Sequence, residues 1–200
     1  MDNINNMDNM DKGHKISRMT FGDLDELIKL HSEYLNYGEG IRPHFDKILK
    51  DSDSIALKYT VNGETAGIFI YTKGVSLSGN HDELSSELLR LSEGMNVYTG
   101  DAVLVRKEYR FMGIADKLCS AMLTELRQRG VQLAVHEFWV YPDGHIPAKK
   151  MFRVFNENIF LGRFEYFYRD FHHFGYICPV CGKNCVCAAE IYLAKIPEGD

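Results

Sequence analysis

The sequence predicts an α/β domain of three layers, a central mixed sheet with helices on both faces. Three observations carry this. Strand-like and helix-like segments interleave along the chain instead of clustering by type. Asn62-Gly63 stands between two β-prone runs, the strongest short hairpin signal a sequence offers. The apolar run Ala102-Val103-Leu104-Val105 leads through a short loop into a segment with Ile114, Leu118, Met122 and Leu126 four residues apart.

Each element follows from its own pattern. Residues 1–14, rich in Asn, Asp and Met without apolar periodicity, read as a disordered tail. Residues 15–19 form a short strand. Thr20 then caps a helix carrying Leu24, Leu27, Ile28 and Leu30, which Gly38 and Gly40 end. Residues 43–50 make a second short helix with Phe45, Ile48 and Leu49. The hairpin pairs residues 54–61 with 66–72. Within the insert that follows, residues 81–93 place Leu84, Leu88 and Leu91 at helical spacing. Residues 96–105 are a central strand, 113–129 a helix ended by Gly130, and 131–140 the next strand. Pro142-Asp143-Gly144 is a turn, and Pro147 opens a short helix over 148–155. Residues 164–171 and 188–196 are read as the last two strands. Residues 15–200 thus form one domain, with a cysteine-rich hairpin at 176–188 inserted before the final strand.

Composition narrows the class. With 200 residues, 45% hydrophobic and 26% charged, the chain can bury a substantial core as a soluble globular protein. No run approaches the ~18 apolar residues of a membrane span, and nothing resembles a secretory leader. A cytoplasmic protein with reduced cysteines is expected. A formal net charge of −5 argues against a nucleic-acid partner and for a cationic one.

The chemistry concentrates where residues 103–105 run through a loop into the strongest helix. Loop and first-turn N–H groups lack intrahelical partners, and the helix dipole adds to them, so this is a ready-made anion site. Arg110-Phe111-Met112-Gly113-Ile114-Ala115 resembles the acetyl-CoA motif R/Q-x-x-G-x-G/A of the GNAT superfamily of N-acetyltransferases. The spacing from Val105 to Arg110 agrees with that family, and Ala148-Lys149-Lys150-Met151-Phe152 resembles its later helix. The order of elements agrees over roughly residues 15 to 196. The resemblance implies a GNAT-like fold and acetyl-CoA as cosubstrate, held by Leu104, Val105, Arg110, Phe111, Met112, Gly113, Ile114 and Ala115. It further implies transfer of the acetyl group to a primary amine, of a small molecule or a lysine, by direct attack. Phe111 and Met112 depart from the glycine and basic residue often found there, and Asp116 adds a carboxylate to the first turn.

The family's catalytic parts map unevenly. A backbone N–H near Leu104 or Val105 would polarise the thioester carbonyl. Asp101 is the candidate general base, on the strand face that a family glutamate occupies two residues earlier; the plainer alternative is a solvated strand-end aspartate. Phe152 stands where the family often has a proton-donating tyrosine, leaving Tyr141 and Tyr168 as acid candidates, with Tyr166 beside them. Alternation lets only one of His136 and Glu137 face the cleft. Tyr34, Tyr37, Glu39 and Arg42 flank the acceptor side, and residues 74–94 are read as a lid.

Cys178-Pro179-Val180-Cys181-Gly182-Lys183-Asn184-Cys185-Val186-Cys187 has the shape of a zinc knuckle. The ligands are Cys178, Cys181, Cys185 and Cys187, with His172 or His173 as substitutes. A metal-free hairpin and a redox-active pair are the alternatives. Cys119 lies on the apolar stripe of its helix as a core residue. The sequence therefore reads as an acetyl-CoA-dependent N-acetyltransferase with a structural zinc. Its rival is a non-catalytic acyl-CoA-binding or zinc-stabilised interaction module, and a homodimer is left open.

Overall fold

In a computed structural model, residues 13–79, 81–155 and 157–197 are described, the side chains of residues 150–152 aside. The tail reading at residues 1–12 and the Phe152 side chain therefore lie outside the described residues, while residues 13 and 14 are not tail: Asn62 N–H donates to Gly13 O at 2.6 Å and His14 pairs with Val61. Strands β1 (His14–Arg18), β2 (Ile55–Val61), β3 (Glu64–Lys73), β4 (Val97–Val105), β5 (Leu133–Val140), β6 (Glu157–Phe164) and β7 (Ala188–Lys195) form one mixed sheet. Its spatial order is β1-β2-β3-β4-β5-β7-β6. Helices α1 (Leu24–Tyr34), α2 (Ile41–Lys50), α3 (Asp82–Leu91) and α4 (Ile114–Gln128) cover its faces. Among the described residues no helix is long and apolar enough to cross a membrane.

Strand alternation sorts the side chains between layers. Ile55, Leu57, Tyr59 and Val61 of β2 join Ile114, Leu118, Met122 and Leu126 of α4 in one core cluster. Ala56 turns the other way, and with Ile68 and Ile70 of β3 meets Leu27, Leu30, Ile41, Phe45 and Ile48 of α1 and α2. Leu88 of α3 packs with Leu133 and Val135 of β5 and Leu193 of β7. The segment expected to act as a lid is thus rooted in the core by a fully buried leucine. Gly67 fixes how closely α4 approaches, since a Cβ there would lie 3.0 Å from Leu104 O and 3.2 Å from Leu118 Cδ1.

Pairing is antiparallel everywhere except between β4 and β5, which α4 connects as a parallel crossover. That parallel contact covers only Val97–Gly100 against Leu133–His136, and beyond it the strands part. On its other edge β4 carries a bulge: Ile70 pairs with Ala102 and Tyr71 with Gly100, leaving Asp101 as the extra residue.

Two sequence expectations change. The strand expected at 164–171 lies at Glu157–Phe164 instead, followed by turns and a 3-10 helix at Arg169–Phe174. The aromatic run there is β-prone, but Tyr166 turns the chain at φ 57 and Phe167, 4% exposed, stacks on His81 at 3.7 Å. Tertiary packing outweighs strand propensity. The short helix expected over 148–155 is a 3-10 helix, Lys149–Val154.

Leu118 is fully buried between α4 and the sheet. Leu118→Ala is expected to lower stability by about 2–5 kcal/mol in denaturant unfolding; a loss near zero would contradict this packing.

Candidate active site

Where β4 and β5 part, a cleft of about 150 Å³ opens. This is smaller than the ~300–1,000 Å³ of a drug-sized pocket. Asp101 and Val103 line it from β4, and His136, Glu137 and Trp139 line it from β5. Leu35 and Asn36 close it beyond α1, while Tyr168, Tyr176 and Cys178 close it from the C-terminal segment.

Amide direction along β4 is set by its pairing. Arg106 N–H donates to Ala66 O at 2.9 Å, toward β3. Strand alternation turns the Leu104 N–H the same way and leaves those of Val103 and Val105 facing the opening. Of the two amides considered from sequence, Val105 points into the gap, and Val103 joins it.

At one end of the gap lies the motif loop. Arg110 does not reach outward as a free charge. Its Nε donates to Val105 O at 3.2 Å, and its guanidinium lies 5.3 Å from the Tyr34 ring. The Tyr34 hydroxyl also accepts from the Lys107 N–H at 3.2 Å. Phe111 takes a left-handed φ of 65 with its ring fully exposed, and Gly113, the N-cap of α4, has φ 72. A non-glycine residue in that region is strained, and such strain gathers at ligand-binding loops. A Cβ on Gly113 would meet nothing within 4 Å, so the loop stands open above the helix N-terminus. Met112 is half-exposed, Ile114 anchors the first turn in the core, Ala115 is partly buried, and Asp116 points to solvent.

At the other end are the titratable groups. The bulge aims Asp101 at His44 of α2, whose Nε2–H donates to Asp101 Oδ2 at 2.8 Å. Burial disfavours charge on His44, but the Asp101 carboxylate outweighs it by charge and hydrogen bond, and the imidazole pKa rises above its ordinary value. Glu137 accepts from the Ser78 N–H at 2.7 Å and from the Tyr168 hydroxyl. Desolvation lifts its pKa above the usual range, against the pull of those donors. His31 is pushed down to about 4 by burial despite the Asp101 charge, and its Nδ1–H donates to Asn36 O at 3.0 Å. His136, which lines the cleft beside Glu137, shares a 2.5 Å hydrogen bond with the Tyr71 hydroxyl, and burial pushes it to about 3.

The structure therefore brings Asp101, Glu137 and Tyr168 to one cleft and sets Tyr141 apart. Tyr141 packs on Trp139 at 4.9 Å and lines a separate depression with Pro142 and Arg163. His44, His31 and Ser78 were not legible in the sequence, since partnerships 57 residues apart, such as His44 with Asp101, leave no local pattern.

The four knuckle sulfurs lie within 4.8 Å of one another. Zn–S bonds of about 2.3 Å in a tetrahedron put sulfurs about 3.8 Å apart, so the cluster needs only slight contraction. Val180 and Cys181 N–H both donate to Cys178 Sγ at 3.4 Å, and Gly182 N–H donates to Cys178 O at 2.8 Å. None of the cysteines is in a disulfide. His172 lies outside the cluster, bonded to Arg169 O at 3.0 Å and packed on His173 at 3.9 Å. Cys119 is buried, as its helix position predicts.

No protein-family model and no curated protein sequence matches the chain. Solved structures match it. Arabidopsis thaliana NAA60 in complex with acetyl-CoA is similar with a TM-score of 0.65 at 15% identity, over 92% of this chain and 98% of that one. The ribosomal-protein-S18-alanine N-acetyltransferase from Escherichia coli gives 0.60 at 16% identity, over 94% and 96%. A GNAT-family acetyltransferase from Streptococcus pneumoniae gives 0.58 at 12% identity, over 92% and 99%. At these identities the likeness is one of architecture: the chain has the GNAT acetyltransferase fold.

His44 titrates higher in the fold than in the unfolded chain, so its pairing stabilises fully below the ordinary histidine pKa. That contribution fades as pH rises through the raised value. Asp101→Asn should therefore lower Tm more at about pH 6 than at about pH 9. Equal losses in thermal melts at both would contradict the pairing.

Proposed function

We propose that this chain is an acetyl-CoA-dependent N-acetyltransferase that acetylates a primary amine by direct attack. The carrying observation is that the β4–β5 opening runs from an unobstructed loop at the α4 N-terminus to a carboxylate-lined cleft. Acetyl-CoA supplies an activated acyl carbon and a thiolate leaving group. The amides between Arg110 and Ala115 suit its pyrophosphate, with Arg110 bracing the loop. The Val103 and Val105 amides suit its thioester carbonyl.

On the acceptor side Glu137 takes the amine proton. Its raised pKa suits a base working near neutrality, and the Ser78 and Tyr168 donors hold it in place. Asp101 is committed to His44 and contributes negative charge that favours a cationic amine. The ammonium first gives one proton through Glu137 to solvent; as the C–N bond forms and the C–S bond breaks, the second proton leaves nitrogen to Glu137 and passes to the departing sulfur. No separate acid is then required, and Tyr168 serves to position Glu137. The four thiolates hold a structural zinc, closed by protein ligands on all sides.

Two measurements test this reading. Calorimetric titration should show micromolar acetyl-CoA binding that Gly113→Trp abolishes. Gly144→Trp, an equally open left-handed position at φ 84, should spare it. No binding to folded wild-type protein would sink the reading. Glu137→Gln should lower kcat by about 10²–10⁴-fold while acetyl-CoA affinity holds. In the wild type, activity should be present above the raised Glu137 pKa and lost as pH falls through it.

A further inference from the structure

Two segments that the transfer chemistry leaves unused meet along one seam. The knuckle faces the cleft through Cys178, Lys183 and Cys185, and the α1–α2 connection faces it through Leu35 and Asn36. They are joined main chain to main chain. Tyr37 N–H donates to Ile177 O at 3.0 Å, and Ile177 N–H donates back to Tyr37 O at 2.5 Å. Gly40 N–H donates to Gly175 O at 3.2 Å. The approach is close enough to require glycine: a Cβ on Gly38 would stand 2.0 Å from Gly175 O, and one on Gly40 2.3 Å from Phe174 O.

The knuckle's other attachments are few: Cys185 and Cys187 are buried, but Val180 and Val186 are each 46% exposed, and the Tyr37–Ile177 and Cys178–Gly182 pairings are isolated bridges outside the named strands. Metal ligation supplies organisation that such a short segment cannot draw from a core. The CoA loop, by contrast, is held from elsewhere, by Ala66, Tyr34 and the buried face of α4.

We propose that zinc on Cys178, Cys181, Cys185 and Cys187 governs the acceptor wall of the cleft. Bound metal fixes the knuckle, the knuckle holds residues 35–40 through the seam, and the wall is built. Without metal the wall loosens and the CoA side stays intact. This rests on the cleft being an acceptor site in an acetyl-CoA-dependent enzyme.

The chain carries one tryptophan, Trp139, which lines the cleft and hydrogen-bonds to the Cys187 thiol. It reports on the site directly. Full-length protein, reduced and stripped with chelator, is titrated with cobalt(II). One equivalent should bring thiolate-to-cobalt charge-transfer bands and a matched change in Trp139 emission. Zinc loading should then slow hydrogen exchange at residues 35–41 by about 5–150-fold, the usual span of intersite coupling. Exchange at residues 106–128 and acetyl-CoA affinity should not change. Gly38→Ala should bind cobalt with the same stoichiometry yet lose the metal-dependent protection of 35–41. Absence of tetrahedral thiolate bands would overturn the proposal, as would metal binding that leaves residues 35–41 unprotected. Metal-dependent protection in a protein that never binds acetyl-CoA would uphold the coupling and sink the acetyltransferase reading.

Discussion

The separation of β4 from β5 is the constraint from which the rest of the site follows. Two parallel strands that stayed paired along their length would have no unsatisfied edge and no gap. Here the ladder stops after Gly100 and His136, and each strand is kept in the sheet by its outer neighbour, β3 or β7. The inner edges then hold main-chain amides with no strand opposite them. Such groups are costly to bury unpartnered, and a ligand with its own polar groups along its length answers them. The bulge at Asp101 sits at the branching point and turns a carboxylate across the gap toward α2.

Much of this frame was legible because it is local. Asn62-Gly63 marks the hairpin by turn chemistry alone, and Asn62 takes φ 51 as that turn requires. The four-residue spacing from Ile114 to Leu126 marks α4, and all of those residues are buried. The bulge was not legible, because Val97–Val105 alternates no differently at residue 101 than elsewhere and the extra residue is defined only by β3 opposite it. His44 was missed for the same reason. The aromatic run after Phe164 misled, since phenylalanine and tyrosine favour strands and also favour any large apolar surface. Here the surface was the underside of α3 and His81.

The chain's charged chemistry is built from pairs whose members come from separate elements: α2 with β4, the α3 approach with β5, the C-terminal aromatic segment with β5. Each carboxylate in the cleft is thereby oriented by a group outside the strand that carries it. The sheet thus supplies the carboxylates, and the segments packed against it supply their donors.

The place of β7 has a further meaning for assembly. It is the last strand in sequence yet lies between β5 and β6, pairing fully with both. During synthesis β6 emerges with no partner at all, its Ile159 and Phe160 half-exposed even in the finished fold. Neither the outer edge of β5 nor the inner edge of β6 is therefore satisfied until β7 enters between them. The cysteine knuckle lies on the connection between those two strands, so a metal bound there would shorten the loop that has to close for β7 to take its place.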